Sequence, residues 1–190
     1  EEKRELRGKR VSYVAQSAAA AFNPAMTINR QVTEIARVHG TLEHGAAVAR
    51  AEELYRKLDL QDPDNIGKRY PHQVSGGQLQ RLMAAMALSA DPELVIFDEP
   101  TTALDVTTQI EVLKAFKEII QTQKTAAIYV SHDLAVVTQM ADRIIVLLNG
   151  EIIEQGTTDQ IINNPTQEYT KALMAAVRKT PVDEMKDNEG

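Results

Sequence analysis

The sequence predicts an α/β fold with a mostly parallel sheet as its core and an inserted helical lobe. Three observations carry that expectation. Leu94, Val95, Ile96 and Phe97 form a continuous apolar run bounded by Pro92 and Pro100, the pattern of a strand buried on both faces of a parallel sheet. Two further β-favouring segments, residues 11–15 and 125–130, are separated from that run by stretches of helical period. Residues 28–60, between the first and second of these strands, read as two helices.

Composition sets the limits. A chain of 190 residues is long enough for one good-sized domain or two small lobes sharing a core. Its 43% hydrophobic and 25% charged residues are ordinary for a globular protein. No apolar stretch is long enough to span a bilayer, so membrane association is expected only through partners. A net charge of −6 argues against a nucleic-acid surface. The chain has no Cys, which excludes disulfides and thiolate metal sites.

In chain order, residues 11–15 (VSYVA) read as a strand, followed by Gln16. Small residues at 17–21 lead into Phe22-Asn23-Pro24, which is expected to stop a helix before it starts. From Ile28 the pattern turns helical, with Val32, Ile35 and Val38 on one face up to Gly40. A second helix is expected over residues 46–60 with Val48, Ala51, Tyr55 and Leu58 inward, and residues 63–71 read as a turn-rich connection.

The stretch from Val74 to Asp105 carries the chemistry. Ser75 is a good N-cap, and Gly76 and Gly77 leave the first helical N–H groups unobstructed, so the helix start can accept an anion. An ordinary capped helix has the same signature. Leu79, Leu82, Met83 and Met86 make this helix amphipathic. Asp98 and Glu99 sit at the carboxyl end of the apolar strand, where ligands of open α/β sheets bind. One acid can hold Mg²⁺ and the other polarise an attacking water, which suits metal-assisted phosphoryl transfer; a solvated strand end is the alternative.

Beyond Asp105, Ile110, Leu113, Phe116 and Ile120 place a helix against the sheet, the strand over residues 125–130 follows, and Ser131-His132-Asp133 comes next. Residues 143–148 and 151–154 around Asn149-Gly150 read as a hairpin with a type I′ turn. Thr157 and Gln160 are spaced for a capping box. Tyr169, Leu173, Ala176 and Val177 form a last amphipathic helix, and the polar stretch from Lys179 is expected to be disordered.

Ser75-Gly76-Gly77-Gln78 resembles the signature motif of ABC-type ATPases, residues 94–99 resemble their Walker B strand with its trailing glutamate, and Ala103-Leu104-Asp105 resembles the D-loop. Gln16 then falls where the family has its Q-loop glutamine, and His132 where it has its switch histidine. The resemblance implies a P-loop NTPase domain, present in part. It makes Glu99 the general base or water polariser, with His132 and Gln16 positioning the water and γ-phosphate. Mg²⁺ would be held by Asp98 and Gln16, and ATP contacted by Ser75, Gly76, Gly77, Gln78 and Asp105, the signature residues acting on the nucleotide of an opposite subunit. The implied segments are 1–16 up to the Q-loop, 17–90 as the helical lobe with the signature helix, 91–164 as the ATPase core, and 165–190 as C-terminal helix and tail. The implied partners are a second ATP-binding subunit, transmembrane permease subunits and, indirectly, a solute-binding protein. The implied place is the cytoplasmic face of a membrane.

Two segments, residues 21–24 (AFNP) and 164–173, are similar to the dipeptide, oligopeptide and nickel importer subfamily, which favours a peptide or other small solute. The missing cysteines argue against the iron–sulfur site some members carry. No GxxxxGK[ST] loop occurs, Gly8-Lys9 lacking both the upstream glycine and the following hydroxyl. The chain begins at Glu1 without Met and is expected to be a piece of something longer, inactive by itself. A non-transport ABC ATPase, a phosphonate-metabolism component and a non-catalytic interaction fragment are the alternative functions.

Overall fold

The computed structural model describes residues 10–38, 40, 42–102 and 104–178. They form two compact units, one ending at Val130 and one beginning at Ser131. The expectations for Gly8, Lys9, Ala103 and the stretch from Lys179 lie outside the described residues, as does the side chain of Val177.

The first unit holds a three-stranded parallel sheet in the order β1 (Val11–Val14), β2 (Leu94–Asp98), β3 (Ala126–Val130). Val14 lies opposite Phe97, Phe97 opposite Tyr129, and Asp98 opposite Val130, so the carboxyl ends of all three strands are level. Val14, Val95 and Phe97 share the buried face. The expectation of a central strand buried on both faces is corrected: Leu94, Ile96 and Asp98 are only half-buried, and Tyr13, Ile128 and Val130 on the same face are exposed. An apolar run cannot say how many faces are covered, because that depends on which helices lie over the sheet.

The buried face carries α7 (Val106–Gln123). Phe116 stacks on Phe97 with ring centroids 5.0 Å apart, and Val112, Leu113 and Ile119 are buried around it. Ile110, expected inward, is 56% exposed. The inward stripe runs through Val112 and Ile119 instead, a shift the period alone does not resolve when Ile and Val occur all around the helix.

The helical lobe comprises α1 (Ala18–Ala21), α2 (Ile28–Val32), α3 (Glu34–Val38), α4 (His44–Lys57), α5 (Pro63–Ile66), a 3₁₀ turn (Pro71–Gln73) and α6 (Gly76–Leu88). A turn of helix does form before Pro24, because Ser17 Oγ accepts from Ala20 N and closes it. Helices α2 and α3 are one period interrupted at Thr33, whose hydroxyl donates to the Asn29 carbonyl at 2.7 Å; such back-bonding bends a helix. The bend leaves Val38 exposed rather than inward. In α4, Ala51, Leu54 and Tyr55 are buried, with Leu58 buried just beyond, and the Tyr55 hydroxyl donates to Asn29 Oδ1 at 2.8 Å. Burial pushes the Tyr55 phenol well above its ordinary pKa. The connection over 63–71 contains α5, with Pro63 at its first turn. Gln31 fastens the Phe22-Asn23-Pro24 turn from inside: its Oε1 accepts from Asn23 N at 2.7 Å and its Nε2 donates to the carbonyls of Asn23 and Met26.

Helix α6 is buried nearly all round, including Leu79, Gln80, Arg81, Leu82, Met83 and Leu88, and is therefore a central element rather than an amphipathic one. Arg81 is accommodated by donating to the Asp59 carbonyl at 2.7 Å and to Glu111 Oε2 at 3.1 Å.

The second unit is a two-stranded antiparallel hairpin, β4 (Arg143–Leu148) and β5 (Glu151–Thr157), with α8 (Leu134–Met140), α9 (Thr158–Asn163) and α10 (Glu168–Arg178). Asn149 and Gly150 take φ of 52° and 84°, as a type I′ turn requires. Val137, Ile144, Val146, Ile161 and Met174 form its core. The Thr157–Gln160 capping box is present. In α10 the inward residues are Thr170 and Met174, with Leu173 packed beside them, while Ala176 is exposed. That face is turned from the expected one, and Tyr169 keeps its ring partly in solvent.

Candidate active site

The level strand ends bring three of the expected residues together. Gln16 follows β1, Asp98 closes β2 and Glu99 comes next; the Gln16 amide Nε2 donates to Glu99 Oε2 at 3.2 Å. Thr102 Oγ1 also donates to Glu99 Oε2, at 3.2 Å, and the Glu99 N–H donates to the Val130 carbonyl at 2.9 Å. The Tyr13 hydroxyl donates to Asp98 Oδ2, and this bond holds the Tyr13 phenol above its ordinary pKa, with desolvation acting the same way. Two neutral donors, one from β1's end and one from the turn after β2, thus hold Glu99 Oε2 in one direction.

Glu99 sits at φ 46°. A non-glycine residue in this left-handed region costs roughly 1–3 kcal/mol and persists where its surroundings over-determine it. Pro100 follows and fixes the chain direction.

At the start of α6, Ser75 Oγ accepts from Gln78 N at 3.2 Å while Gln78 Oε1 accepts from Ser75 N at 2.9 Å. This reciprocal capping box satisfies two of the orphan groups of the helix start and employs Gln78 within its own helix. The glycine pair divides in role. Gly76 is exposed and a Cβ there would lie at ordinary contact distance, 3.7 Å, from Leu104 Cδ2. A Cβ on Gly77 would lie 2.4 Å from Thr108 Cγ2, so packing against α7 demands that glycine. Asp105 is the N-cap of α7 and accepts from Thr108 N at 3.0 Å. Hydrogen bonds from Thr108, the side chain's foremost, hold the Asp105 carboxyl below its ordinary pKa.

His132 belongs to the second unit and is exposed there. Its neighbour Asp133 caps α8, accepting from Ala135 N at 2.9 Å, and Ser131 Oγ accepts from Asp133 N at 3.0 Å. This fixes the backbone on either side of His132.

No cluster of three or more His, Cys, Asp or Glu suited to a metal occurs among the described residues. Asp98 and Gln16 still fit Mg²⁺ arriving with a nucleotide, since that ion takes only one or two protein oxygens and fills its shell with phosphate and water. With Nε2 given to Glu99, Oε1 is the atom of the Gln16 amide suited to a hard cation.

Three side chains at this site escape sequence reasoning. Tyr13 and Thr102 carry no signal until the register is known. Gln80 does carry one, a polar residue between Leu79 and Leu82 on a helix of apolar period.

Comparison with known proteins adds the following. The ABC transporter family model matches residues 1–102. The metal-staphylopine import system ATP-binding protein CntD of Staphylococcus aureus is 43% identical over 176 residues, covering 93% of this chain and 65% of that protein. The oligopeptide transport ATP-binding protein AppD of Bacillus subtilis is 41% identical over 172 residues, covering 90% of this chain and 52% of that protein. The ATP-binding cassette MJ0796, solved as a dimer in a post-hydrolysis state with ADP and Pi, aligns with a TM-score of 0.69 at 26% identity, over 83% of this chain and 66% of that one. The chain thus spans less than two thirds of the length of these two import proteins.

Proposed function

The chain belongs to the ABC transporter family, and from that premise we propose that it forms part of the ATP-hydrolysing subunit of an importer for a small solute. The observation that carries the reading is the Gln16–Glu99 hydrogen bond at the end of the parallel strands, with Asp98 one residue away. In this reading water, polarised by Glu99, attacks the γ-phosphorus; the bond to the β,γ-bridging oxygen breaks, and ADP and phosphate leave. Gln16 and His132 would hold the water and γ-phosphate, and Asp98 and Gln16 would hold Mg²⁺, which would supply neutralising charge for the phosphates. Ser75, Gly77 and Gln78 meet the nucleotide of an opposite subunit, with Gly76 and Asp105 as further nucleotide-binding residues.

The dimeric ADP-bound relative supports the pairing of two such subunits. No helix among the described residues is long and apolar enough to cross a membrane, consistent with a peripheral subunit acting through separate permeases. The cleft lined by Met26, Arg30, Glu34, Arg37 and Val38, mixing charge with exposed apolar surface, supports the helical lobe as the part that meets them. Relatives named for oligopeptide and metal-staphylopine import support a peptide or a chelated metal such as nickel as the solute, delivered by a binding protein.

The test is solute uptake by a strain deleted for the full-length protein. Loss of uptake of labelled peptide or chelated metal, restored by the wild-type protein, is expected. Loss of sugar uptake with peptide and metal uptake intact would overturn the solute class.

A further inference from the structure

Gln80 lies on α6, the helix that begins at Ser75, yet its side chain reaches backbone carbonyls next to the strand-end site of the same chain. It is 5% exposed, and its amide Nε2 donates both to the Pro100 carbonyl and, at 3.5 Å, to the Gln16 carbonyl. Those two carbonyls belong to the residue after Glu99 and to the residue that hydrogen-bonds Glu99. One amide therefore ties together the two segments whose side chains meet at Glu99 Oε2. Pro100 cannot donate from its own nitrogen, so its carbonyl is the handle by which the turn can be held, and Glu99 needs holding because its φ is 46°.

We propose that Gln80 is a positioning residue for hydrolysis, fixing the Glu99 turn and the Gln16 segment in register through its two donated hydrogen bonds. The inference rests on the ATPase reading above.

Its chemistry is distinctive, since both of these partners are carbonyl acceptors and the side chain donates to each. Gln80→Met keeps the volume and removes the donors. Gln80→Glu keeps the shape but turns an ionised acceptor toward two carbonyls; burial among them raises the pKa of such a carboxyl, and its protonated form can donate one hydrogen bond again.

The experiment is steady-state ATP hydrolysis by the full-length protein and both variants, with melting temperature and folded fraction measured alongside. In both variants kcat per folded molecule is expected to fall at least about tenfold with little change in KM, as for a misplaced catalytic group. For Gln80→Glu the ratio of its kcat to that of the wild type is expected to rise as pH falls. Wild-type kcat in folded Gln80→Met, or a Gln80→Glu ratio flat with pH, overturns the positioning role while leaving the ATPase reading intact. Absence of hydrolysis by the wild type overturns both.

Discussion

Replacing Gly77 separates helix packing from anion binding as the reason for the glycine. A Cβ there would lie 2.4 Å from Thr108 Cγ2, with Thr108 Cβ and Val112 Cγ2 next at 3.9 Å. The first distance is a clash and the other two are ordinary contacts. Thr108 is β-branched in the first turn of α7, where few χ1 rotamers are open to it, so moving its methyl aside carries a cost. Gly77→Ala gains about 1 kcal/mol of helix propensity and loses about 1–3 kcal/mol to overpacking. The expected net is a destabilisation of about 1 kcal/mol, seen as roughly 2–4 °C in Tm. Thr108→Ser removes Cγ2 and keeps the hydroxyl beside Asp105. In that background the new Cβ meets nothing nearer than 3.9 Å, and Gly77→Ala is expected to stabilise by up to about 1 kcal/mol. Thermal and urea denaturation of the wild type, both single variants and the double variant, followed by circular dichroism, closes the cycle. Equal effects of Gly77→Ala in the two backgrounds, within about 0.5 kcal/mol, would refute the claim that Thr108 demands the glycine.

Glu99→Gln in the full-length protein keeps shape and hydrogen-bonding reach but removes the charge, so turnover should fall about two orders of magnitude or more while ATP binding survives; an ATP-dependent dimer on gel filtration is expected, and near-normal turnover would make the acid structural. The 190-residue chain contains no GxxxxGK[ST] cradle for the β- and γ-phosphates, so calorimetry should detect no tight ATP binding, and saturable micromolar binding would contradict this. In the second unit, the Thr170 hydroxyl and the N–H groups of Thr166 and Gln167, with the Thr166 hydroxyl, lower Glu154 to about 2. A depressed carboxylate contributes stability above its unfolded pKa, about 4.3, and loses it as pH falls from there through about 2. Glu154→Gln should therefore be less stable than wild type at neutral pH, with the gap closing in acid; an unchanged gap at low pH would contradict the assignment.

Much of this protein is local and therefore legible in its sequence. Caps, turns and strand ends depend on residues within a few positions of each other: Ser75 with Gln78, Thr157 with Gln160, Asn149 with Gly150, and the acids that terminate an apolar run at Asp98 and Glu99. The chemistry of the acids also follows from residue type and order, which is why Asp98 and Glu99 can be named before any fold is known, whereas Gln16 is named only through the resemblance to ABC-type ATPases. Tertiary structure alone decided what touches them. The parallel register sets Tyr13 against Asp98 and Gln16 against Glu99 across more than eighty positions of sequence. The crossing of α6 and α7 leaves a side chain at Gly77 little room beside Thr108, and the packing of α6 sets the Gln80 amide against the Pro100 carbonyl. Faces differ from expectation for the same reason at Ile110, Val38 and Ile96: helical and strand periods say that one side is apolar, while which side meets another layer depends on elements distant in the chain. Local hydrogen bonding writes itself into short patterns, whereas packing depends on where distant segments arrive.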